Sequence, residues 1–264
     1  MTTRTSVGII GFGAIGRDLS ARLTAEGYEV IVQLRADSDS RAAAPADIRV
    51  VESVQTLMAA RPDVVVEAAG QAALRDAASV LLGAGVTVVA ASTGALGDPV
   101  LFERLEAAAR RGGGRLIVPA GALGGLDYLS ALRGCAGARI RYTTRKPPAA
   151  WRAELTAAGH DPETLAGEVV LFEGAASEAA RLYPRNLNAG LTVALAAAPA
   201  PVIVRVVADP TVSLNTHEIE AESELGSAAM RFANRPSPAN PRTSALTAAS
   251  LAAAVRRLLA QVVL

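Results

Sequence analysis

Two short stretches of the chain combine residue types that redox chemistry on a small substrate requires. The first is the run 11–16, Gly-Phe-Gly-Ala-Ile-Gly, which follows a short apolar segment and precedes an amphipathic stretch typical of a helix. In that setting the glycines allow a tight turn, close approach of a pyrophosphate and close packing of helix on strand. The helix N-terminus also favours a phosphate charge. The residues predicted to bind a dinucleotide are therefore Gly11, Gly13, Ala14, Ile15 and Gly16; a glycine turn without a ligand is the alternative.

The second stretch is the run 215–219, Asn-Thr-His-Glu-Ile, which has the composition of a strand. The chain has two histidines, and the other, His160, lies in a polar, turn-like run. Removal of hydride from a carbon bearing an amine or a hydroxyl also needs a group that accepts a proton near neutral pH, and imidazole is the side chain best suited to this. We predict that His217 is the general base, with Glu218 or a more remote group orienting its ring. A structural histidine within the core is the alternative.

The end of the second predicted strand bears on the choice of cofactor. NAD enzymes often place Asp or Glu there to bind the ribose 2′-hydroxyl. This chain instead has Gln33-Leu34-Arg35, with Asp37 and Asp39 shortly after. Arg35 has the charge to pair with a 2′-phosphate. We therefore expect the cofactor to be NAD or NADP, with NADP accepted; an exposed loop arginine without this role is the alternative.

Composition excludes several classes of protein. The 264 residues are 51% hydrophobic and 19% charged, with a formal net charge of +1. This is a globular composition rather than a disordered one, and it lacks the basic surplus of a nucleic-acid-binding surface. No apolar run approaches the ~20 residues that span a bilayer, and there is no signal-peptide pattern. Cys135 is the single cysteine, so no intrachain disulfide can form and we expect a cytoplasmic protein. Two distant histidines and one cysteine predict no metal site.

The elements expected to position these residues fall into two groups. Up to residue 119, β-branched runs alternate with helical segments, a pattern that predicts an α/β domain of the Rossmann type with a parallel sheet. From 120 to 240, strands with fewer helices predict a second α+β domain with a mixed sheet. A Pro/Asn-rich run then precedes an apolar-striped helix within 241–264. We expect this last helix to pack back on the first domain.

Several longer strings resemble one family. They lie at 66–70, 91–96, 119–127, 143–148, 183–188, 215–220 and 234–244. Together with the glycine turn, in this order and spacing, they resemble L-aspartate dehydrogenase from end to end. The resemblance implies a homodimeric oxidoreductase that converts L-aspartate and NAD(P)+ to oxaloacetate, ammonia and NAD(P)H through iminoaspartate. It also implies a link to NAD biosynthesis, because iminoaspartate is the precursor of quinolinate.

The resemblance also implies roles for particular residues. The catalytic histidine of the family falls on His217. Cofactor contacts beyond the glycine turn fall on Ala122 and Asn188, with Asn186 close to the latter. Two of the matching strings follow predicted strands at the edge where ligands bind, and on this basis Ala69 and Ser92 are also expected to contact the cofactor.

Binding of a dicarboxylate needs hydrogen-bond donors and positive charge. Lys146 is the only lysine, in a chain whose other long basic side chains are arginines. Charge-assisted bonds are the strong form of carboxylate recognition, so Lys146 is the preferred substrate-binding residue, with an exposed basic loop as the alternative. Arg145, Arg242 and Ser244 also offer donors. The further residues expected to bind substrate are Asn186, Asn215, Asn240 and Thr243, although Thr243-Ser244 could instead cap the last helix.

Three other functions stay open at this point. A semialdehyde dehydrogenase would use a cysteine nucleophile, but Cys135 follows a predicted helix rather than preceding one, where a thiolate would be favoured. A reductase of cyclic imines would need more His and Lys than this chain has. A dinucleotide sensor would bind the cofactor without turnover.

Overall fold

The computed structural model describes residues 4–183 and 188–263. The chain divides into two compact units. One unit comprises Met1–Gly121 and Thr247–Leu264, and the other comprises Ala122–Leu246. Asn186, one of the predicted substrate-binding residues, lies outside the described residues. Along the part of the chain that the structure describes, no helix is both long and apolar enough to cross a membrane.

The first unit is built on a six-stranded parallel sheet with the order β3-β2-β1-β4-β5-β6. Its strands are β1 (Ser6–Ile10), β2 (Glu29–Gln33), β3 (Arg49–Val51), β4 (Val64–Glu67), β5 (Val88–Ala90) and β6 (Leu116–Ile117). Val and Ile dominate β1, β2 and β4, which are buried on both faces, as expected of a parallel sheet between helices. The strand order reverses between β1 and β4. In this doubly wound arrangement, ligands bind at the carboxyl ends of the strands beside the reversal.

Four helices of this unit connect the strands: α1 (Ala14–Ala25), α2 (Val54–Ala59), α3 (Gln71–Gly83) and α4 (Pro99–Gly112). Their ends follow local chemistry. Asp98 caps α4 by accepting bonds from the backbone N–H groups of Val100 and Leu101, and Pro99 begins the helix. Gly113, with φ of 77°, ends it. Helices α1, α3 and α4 correspond to helical segments of the predicted alternation, whereas β3 and α2 had no predicted counterpart.

The second unit has a five-stranded mixed sheet with the order β11-β10-β7-β9-β8. Its strands are β7 (Arg139–Lys146), β8 (Val169–Ala175), β9 (Val202–Ala208), β10 (Asn215–Ser223) and β11 (Gly226–Asn234). Only β7 and β9 pair in parallel, while the other neighbours are antiparallel. The helices are α5 (Leu126–Ala131), α6 (Arg152–Ala157), α7 (Ala176–Leu182) and α8 (Asn188–Ala197). The predicted mixed α+β architecture is confirmed.

The two faces of this mixed sheet differ in chemistry. One face packs against the helices, around Tyr142, Trp151 and Ile219. The other carries ion pairs between neighbouring strands, such as Arg141 with Glu220. This follows from the period of two along each strand, which sends alternate side chains to opposite faces.

The Pro/Asn-rich run forms a small ladder between β12 (Pro236–Ser237) and β13 (Asn240–Ser244). The last helix, α9 (Leu246–Leu259), follows it. The Oγ atom of Ser244 accepts a bond from the N–H of Leu246 at 3.2 Å, so the residue does help to begin the helix. The apolar stripe of α9 lies in the core of the first unit, as predicted, through Ala248, Leu251, Ala252 and Val255.

Candidate active site

The glycine turn lies between β1 and α1, at the carboxyl edge of the parallel sheet. Gly11 has φ of 93°, and a Cβ there would come within 2.6 Å of the Cβ of Ala69. A Cβ on Gly16 would lie 2.3 Å from the carbonyl oxygen of Gly11. Gly13, in contrast, has no atom within 4 Å of its Cβ position. Packing therefore requires two of the glycines, while the third keeps space open beside the first N–H groups of α1, as an approaching pyrophosphate needs.

A cavity of about 540 Å³ opens beside this turn. Its wall includes the turn itself, the end of β2, the segment Ala68–Ala69 after β4, and part of α3. Arg35 lies on this wall and is exposed. Its Nε atom is 3.7 Å from the Oδ1 atom of Asp37. The Gln33 amide donates to the Glu52 carbonyl oxygen at 3.0 Å, so this side chain is held by the loop after β3. No carboxylate stands at 33–35, the end of β2 that faces the cavity.

A buried carboxylate lies next to this cavity. Glu67, the last residue of β4, is 1% exposed and accepts hydrogen bonds from the loops after β4 and β5. Burial raises its pKa, while those hydrogen bonds oppose the rise. Glu67 was not among the predicted site residues. The signal was a charged residue at the end of an otherwise apolar strand.

His217 is held within the second unit by a tyrosine. It lies on β10, is 6% exposed, and its Nδ1 atom is 2.8 Å from the hydroxyl of Tyr142 on β7. The two rings are stacked with centroids 6.0 Å apart. Burial raises the pKa of Tyr142, which keeps this hydroxyl protonated. Because Nδ1 is engaged, Nε2 is the ring nitrogen that can exchange a proton with a substrate or water.

The electrostatics of His217 suit a base. Burial, and then the positive charge of Lys146, lower the pKa of His217 to about 4. Its imidazole is therefore neutral at physiological pH. Glu218 does not orient the ring, because its side chain lies on the opposite face of the sheet and accepts a bond from Arg145 at 2.8 Å.

Lys146 lies on the same face of the sheet as His217. It is the last residue of β7, where Thr144, two positions earlier, pairs with His217. The side chain is 5% exposed, and Nζ lies 5.1 Å from the centroid of the Trp151 ring. The alternative of an exposed basic loop is therefore wrong. Asn215, also buried, precedes His217 by two residues and shares this face.

Arg145 lies on the other face of the sheet. It is bound there by Glu218, Asp209 and Glu168, with the Asp209 contact at 3.2 Å. Three carboxylates thus already engage the guanidinium. Among the described strand residues of this sheet, Lys146 is the cation on the face that carries His217.

The remaining predicted residues occupy three elements of the second unit. Ala122 precedes α5, and its carbonyl oxygen accepts a bond from the Asn234 amide at 2.8 Å. Asn234 pairs with Asn215 across the β10–β11 ladder, so this strand end holds the turn that contains Ala122. Asn234 had no predicted role, although it begins the segment 234–244 that resembles the family. Asn188 is the exposed first residue of α8. Asn240 and Thr243 lie on β13, and their roles stay predictions.

Cys135 lies in the turn that follows α5. Its Sγ atom is 3.9 Å from the carbonyl oxygen of Ala131, and the residue is half-buried. A helix carboxyl end does not favour a thiolate. Among the described residues, no group of three His, Cys, Asp or Glu side chains has the arrangement of a metal site.

A doubly wound unit with a glycine turn, followed by a unit with a buried neutral imidazole beside a cation, defines a nicotinamide-dependent oxidoreductase. Residues 11–119 match the model described as the NAD binding domain of homoserine dehydrogenase, and residues 127–258 match the model described as aspartate dehydrogenase, C-terminal. The chain belongs to the aspartate dehydrogenase family.

Individual relatives agree with this assignment over the whole chain. L-aspartate dehydrogenase 2 of Bordetella bronchiseptica is 45% identical, with 97% of each chain covered. L-aspartate dehydrogenase of Ruegeria pomeroyi is 40% identical, covering 96% of this chain and 92% of that protein. The crystal structure of aspartate dehydrogenase from Thermotoga maritima superposes with a TM-score of 0.79 at 28% identity, covering 99% of this chain and 100% of that one. The predicted family and fold class are thus confirmed.

Proposed function

We propose that this protein oxidatively deaminates L-aspartate to oxaloacetate and ammonia through iminoaspartate, with NAD or NADP as the oxidant. The family and the names of its relatives support the substrate. The observation that carries the chemistry is His217, a buried imidazole held by Tyr142 and kept neutral beside Lys146. This combination supplies a base and a carboxylate-binding cation on one face of one sheet.

The residues of the first unit fit a dinucleotide. The open space at Gly13 admits a pyrophosphate, and the N–H groups of Ala14, Ile15 and Gly16, in the first turn of α1, are donors that a helix leaves unpaired. Ala69 and Ser92 lie at the carboxyl ends of the next two strands. The resemblance adds Ala122 and Asn188 to this set. The bound nicotinamide supplies the hydride acceptor.

Substrate binding falls to donors on the His217 face of the mixed sheet. The ammonium of Lys146 forms a charge-assisted bond with one carboxylate of the substrate. The side-chain amide of Asn215, two residues before His217 and on the same face of the sheet, is a further donor. Asn186, Asn240 and Thr243 are proposed as hydrogen-bond donors to the second carboxylate.

The proton transfers are assigned to His217. The substrate ammonium first releases one proton to solvent, and as hydride leaves the α-carbon the amine becomes a protonated imine. Nε2 of His217 then takes a proton from the water that attacks the imine carbon, and the Nδ1–H of the resulting imidazolium donates to the Tyr142 oxygen. The same imidazolium returns the proton to the departing nitrogen. The C–N bond then breaks as the hydroxyl of the carbinolamine loses its proton to Nε2, so that ammonia leaves and oxaloacetate remains.

Arg35 is proposed to favour NADP. Its position on the cavity wall, without a carboxylate at the end of β2, suits a 2′-phosphate. Arg35→Ala should raise the KM for NADP+ by about tenfold and change that for NAD+ little. An equal effect on both would assign the arginine another role.

The assembly and the pathway are implied by the resemblance, and the compartment by the composition. We propose a homodimer in the cytoplasm whose iminoaspartate feeds NAD biosynthesis. The single cysteine is consistent with a reducing compartment.

The test is the absorbance of reduced nicotinamide with L-aspartate, supplied separately with NAD+ and NADP+. Malate, L-glutamate and D-aspartate are the substrate controls. His217→Ala should abolish turnover and keep cofactor binding, whereas His160→Ala, at an exposed position, should retain both. Tight cofactor binding without reduction by any substrate would instead favour a dinucleotide sensor or an imine reductase.

A further inference from the structure

Glu67 is a buried carboxylate of the parallel-sheet unit that accepts four hydrogen bonds. It has no part in the proposed chemistry. It ends β4, the central strand that lies between β1 and β5. Its Oε1 atom accepts bonds from the N–H groups of Ala69 and Gly70, each at 2.8 Å, and from the Ser92 hydroxyl at 3.0 Å. Its Oε2 atom accepts the Ser92 N–H at 3.1 Å.

These four bonds join two separate loops. Ala69 and Gly70 follow β4, whereas Ser92 follows β5, 25 residues from Glu67 along the chain. Three of the four donors are backbone N–H groups, which fix the path of the main chain rather than one side chain. The carboxylate therefore sets how the two loops leave adjacent strands at the ligand-binding edge of the sheet.

The first of these loops also supports the glycine turn. The N, Cα and Cβ atoms of Ala69 all lie within 3.0 Å of where a Cβ on Gly11 would stand. The N–H of Ala68 donates to the carbonyl oxygen of Ile10 at 2.9 Å. Ala68, Ala69 and Gly11 together line the cavity. Movement of the loop after β4 would thus change the shape of the space beside the glycine turn.

We propose that Glu67 is a positioning residue for the dinucleotide, acting through the Ala69–Gly70 segment and Ser92. This inference rests on the proposed function in taking a nicotinamide dinucleotide as the ligand. Burying a carboxylate is costly, and burial raises the pKa of this one. If this buried position only had to fill space in the core, an apolar side chain would do so at a lower free-energy cost. Donors from two loops that converge on one carboxylate instead specify a single arrangement of both loops.

The test is Glu67→Gln, which keeps the size and replaces one acceptor oxygen with a donor that faces other donors. The dissociation constants of NADH and NADPH are measured by nicotinamide fluorescence, without turnover, together with the thermal midpoint. We expect a rise of about tenfold or more in Kd. In the assay with L-aspartate, the KM for the cofactor should rise more than the KM for aspartate.

Two further variants separate positioning from stability. Leu105→Ala opens a cavity in the core of the same unit beneath α4 and should lower the thermal midpoint while leaving the nucleotide Kd unchanged. Ser92→Ala removes the one side-chain donor. It should raise Kd by a smaller factor than Glu67→Gln and have little further effect in that background. If Glu67→Gln does not fold, Glu67→Asp takes its place, because it keeps the charge but draws the carboxylate back from the donors of both loops.

The outcomes are distinct. An unchanged nucleotide Kd in Glu67→Gln, or in Glu67→Asp when the first variant does not fold, would overturn the positioning role. A wild-type protein that binds NADH yet does not oxidise L-aspartate would overturn the proposed function and leave the role of Glu67 to be judged from Kd alone.

Discussion

At the scale of single residues, the pairing of Tyr142 with His217 determines how the base works. The hydroxyl is 2.8 Å from Nδ1 and buried, so it fixes the ring, and as the acceptor from Nδ1–H it leaves Nε2 without a proton in the neutral imidazole. Tyr142→Phe should lower kcat by about tenfold, the worth of one buried hydrogen bond, with a smaller effect on the KM for aspartate. Steady-state kinetics measure this, and a change in KM alone would mean that Tyr142 serves substrate binding.

The pKa of His217 gives a second expectation at this scale. Burial and Lys146 lower it to about 4, against 6.5 for an unperturbed imidazole. The acid limb of kcat/KM, which reports the free enzyme, should therefore fall near pH 4. Because the folded-state pKa lies below the unfolded one, the stability linked to this group is complete above about pH 6.5 and decreases as the pH falls towards 4.

Proton NMR measures this titration directly, since His160 is the only other histidine in the spectrum. Lys146→Met removes the nearby charge and should move the midpoint of His217 upward. A midpoint near 6.5 in the wild-type protein would contradict the buried environment described here.

Residue chemistry was predictable from sequence where the residue type is rare. His217 and Lys146 stood out because the chain has two histidines and one lysine. Tyr142 and Glu67 did not stand out, because their roles depend on partners fixed by strand register and loop path. Tyr142 lies 75 residues from His217 along the chain, and only the β7–β10 pairing brings the two strands together.

At the scale of elements, glycines have two different roles in the turn between β1 and α1: Gly16 is required for packing, and Gly13 keeps space open for the cofactor. Gly16→Ala should cost about 1–3 kcal/mol of stability, because the added Cβ would lie 2.3 Å from the carbonyl oxygen of Gly11. Gly13→Ala should leave the thermal midpoint nearly unchanged, since its φ of −73° and the open space accept a methyl group. The same methyl should raise the cofactor Kd by about tenfold.

Thermal unfolding and nucleotide titration of both variants measure these effects. A Gly13→Ala protein with wild-type affinity would show that the open space at this position does not face the phosphates, and an unstable one would show that the position does not accept a methyl group.

The elements that could be predicted from sequence are those with a clear helical period or a β-branched run. The helices α3 and α4 and the strands β2, β9 and β10 have enough residues for a period or a β-branched run to show. The ladder of β12 and β13 was missed because prolines at 236, 238 and 241 indicate a loop. The ladder is short: only Pro236 pairs with Ser244 and Ser237 with Asn240, so few of its positions need a backbone N–H donor.

At the scale of the whole molecule, the chain begins and ends in the same unit. The apolar stripe of α9 fills the core beside β1, β2 and β4, although more than 120 residues of the second unit separate α9 from that sheet in sequence. A helical stripe in the sequence identified α9, but composition alone could not say which core it joins. The helix joins the first unit because the parallel sheet there has an apolar face for it to cover.

Leu251 tests this contribution of the last helix. It is fully buried in the first unit's core, so Leu251→Ala should lower the free energy of unfolding by about 2–5 kcal/mol through lost burial and the cavity left behind. Val262→Ala, at a position 77% exposed beyond the end of α9, is the matched control and should change it by less than about 0.5 kcal/mol. Circular dichroism during chemical unfolding measures the loss. Fluorescence of Trp151, the single tryptophan, reports the second unit. A fall below about 1 kcal/mol for Leu251→Ala would mean that α9 is dispensable to the dinucleotide-binding core.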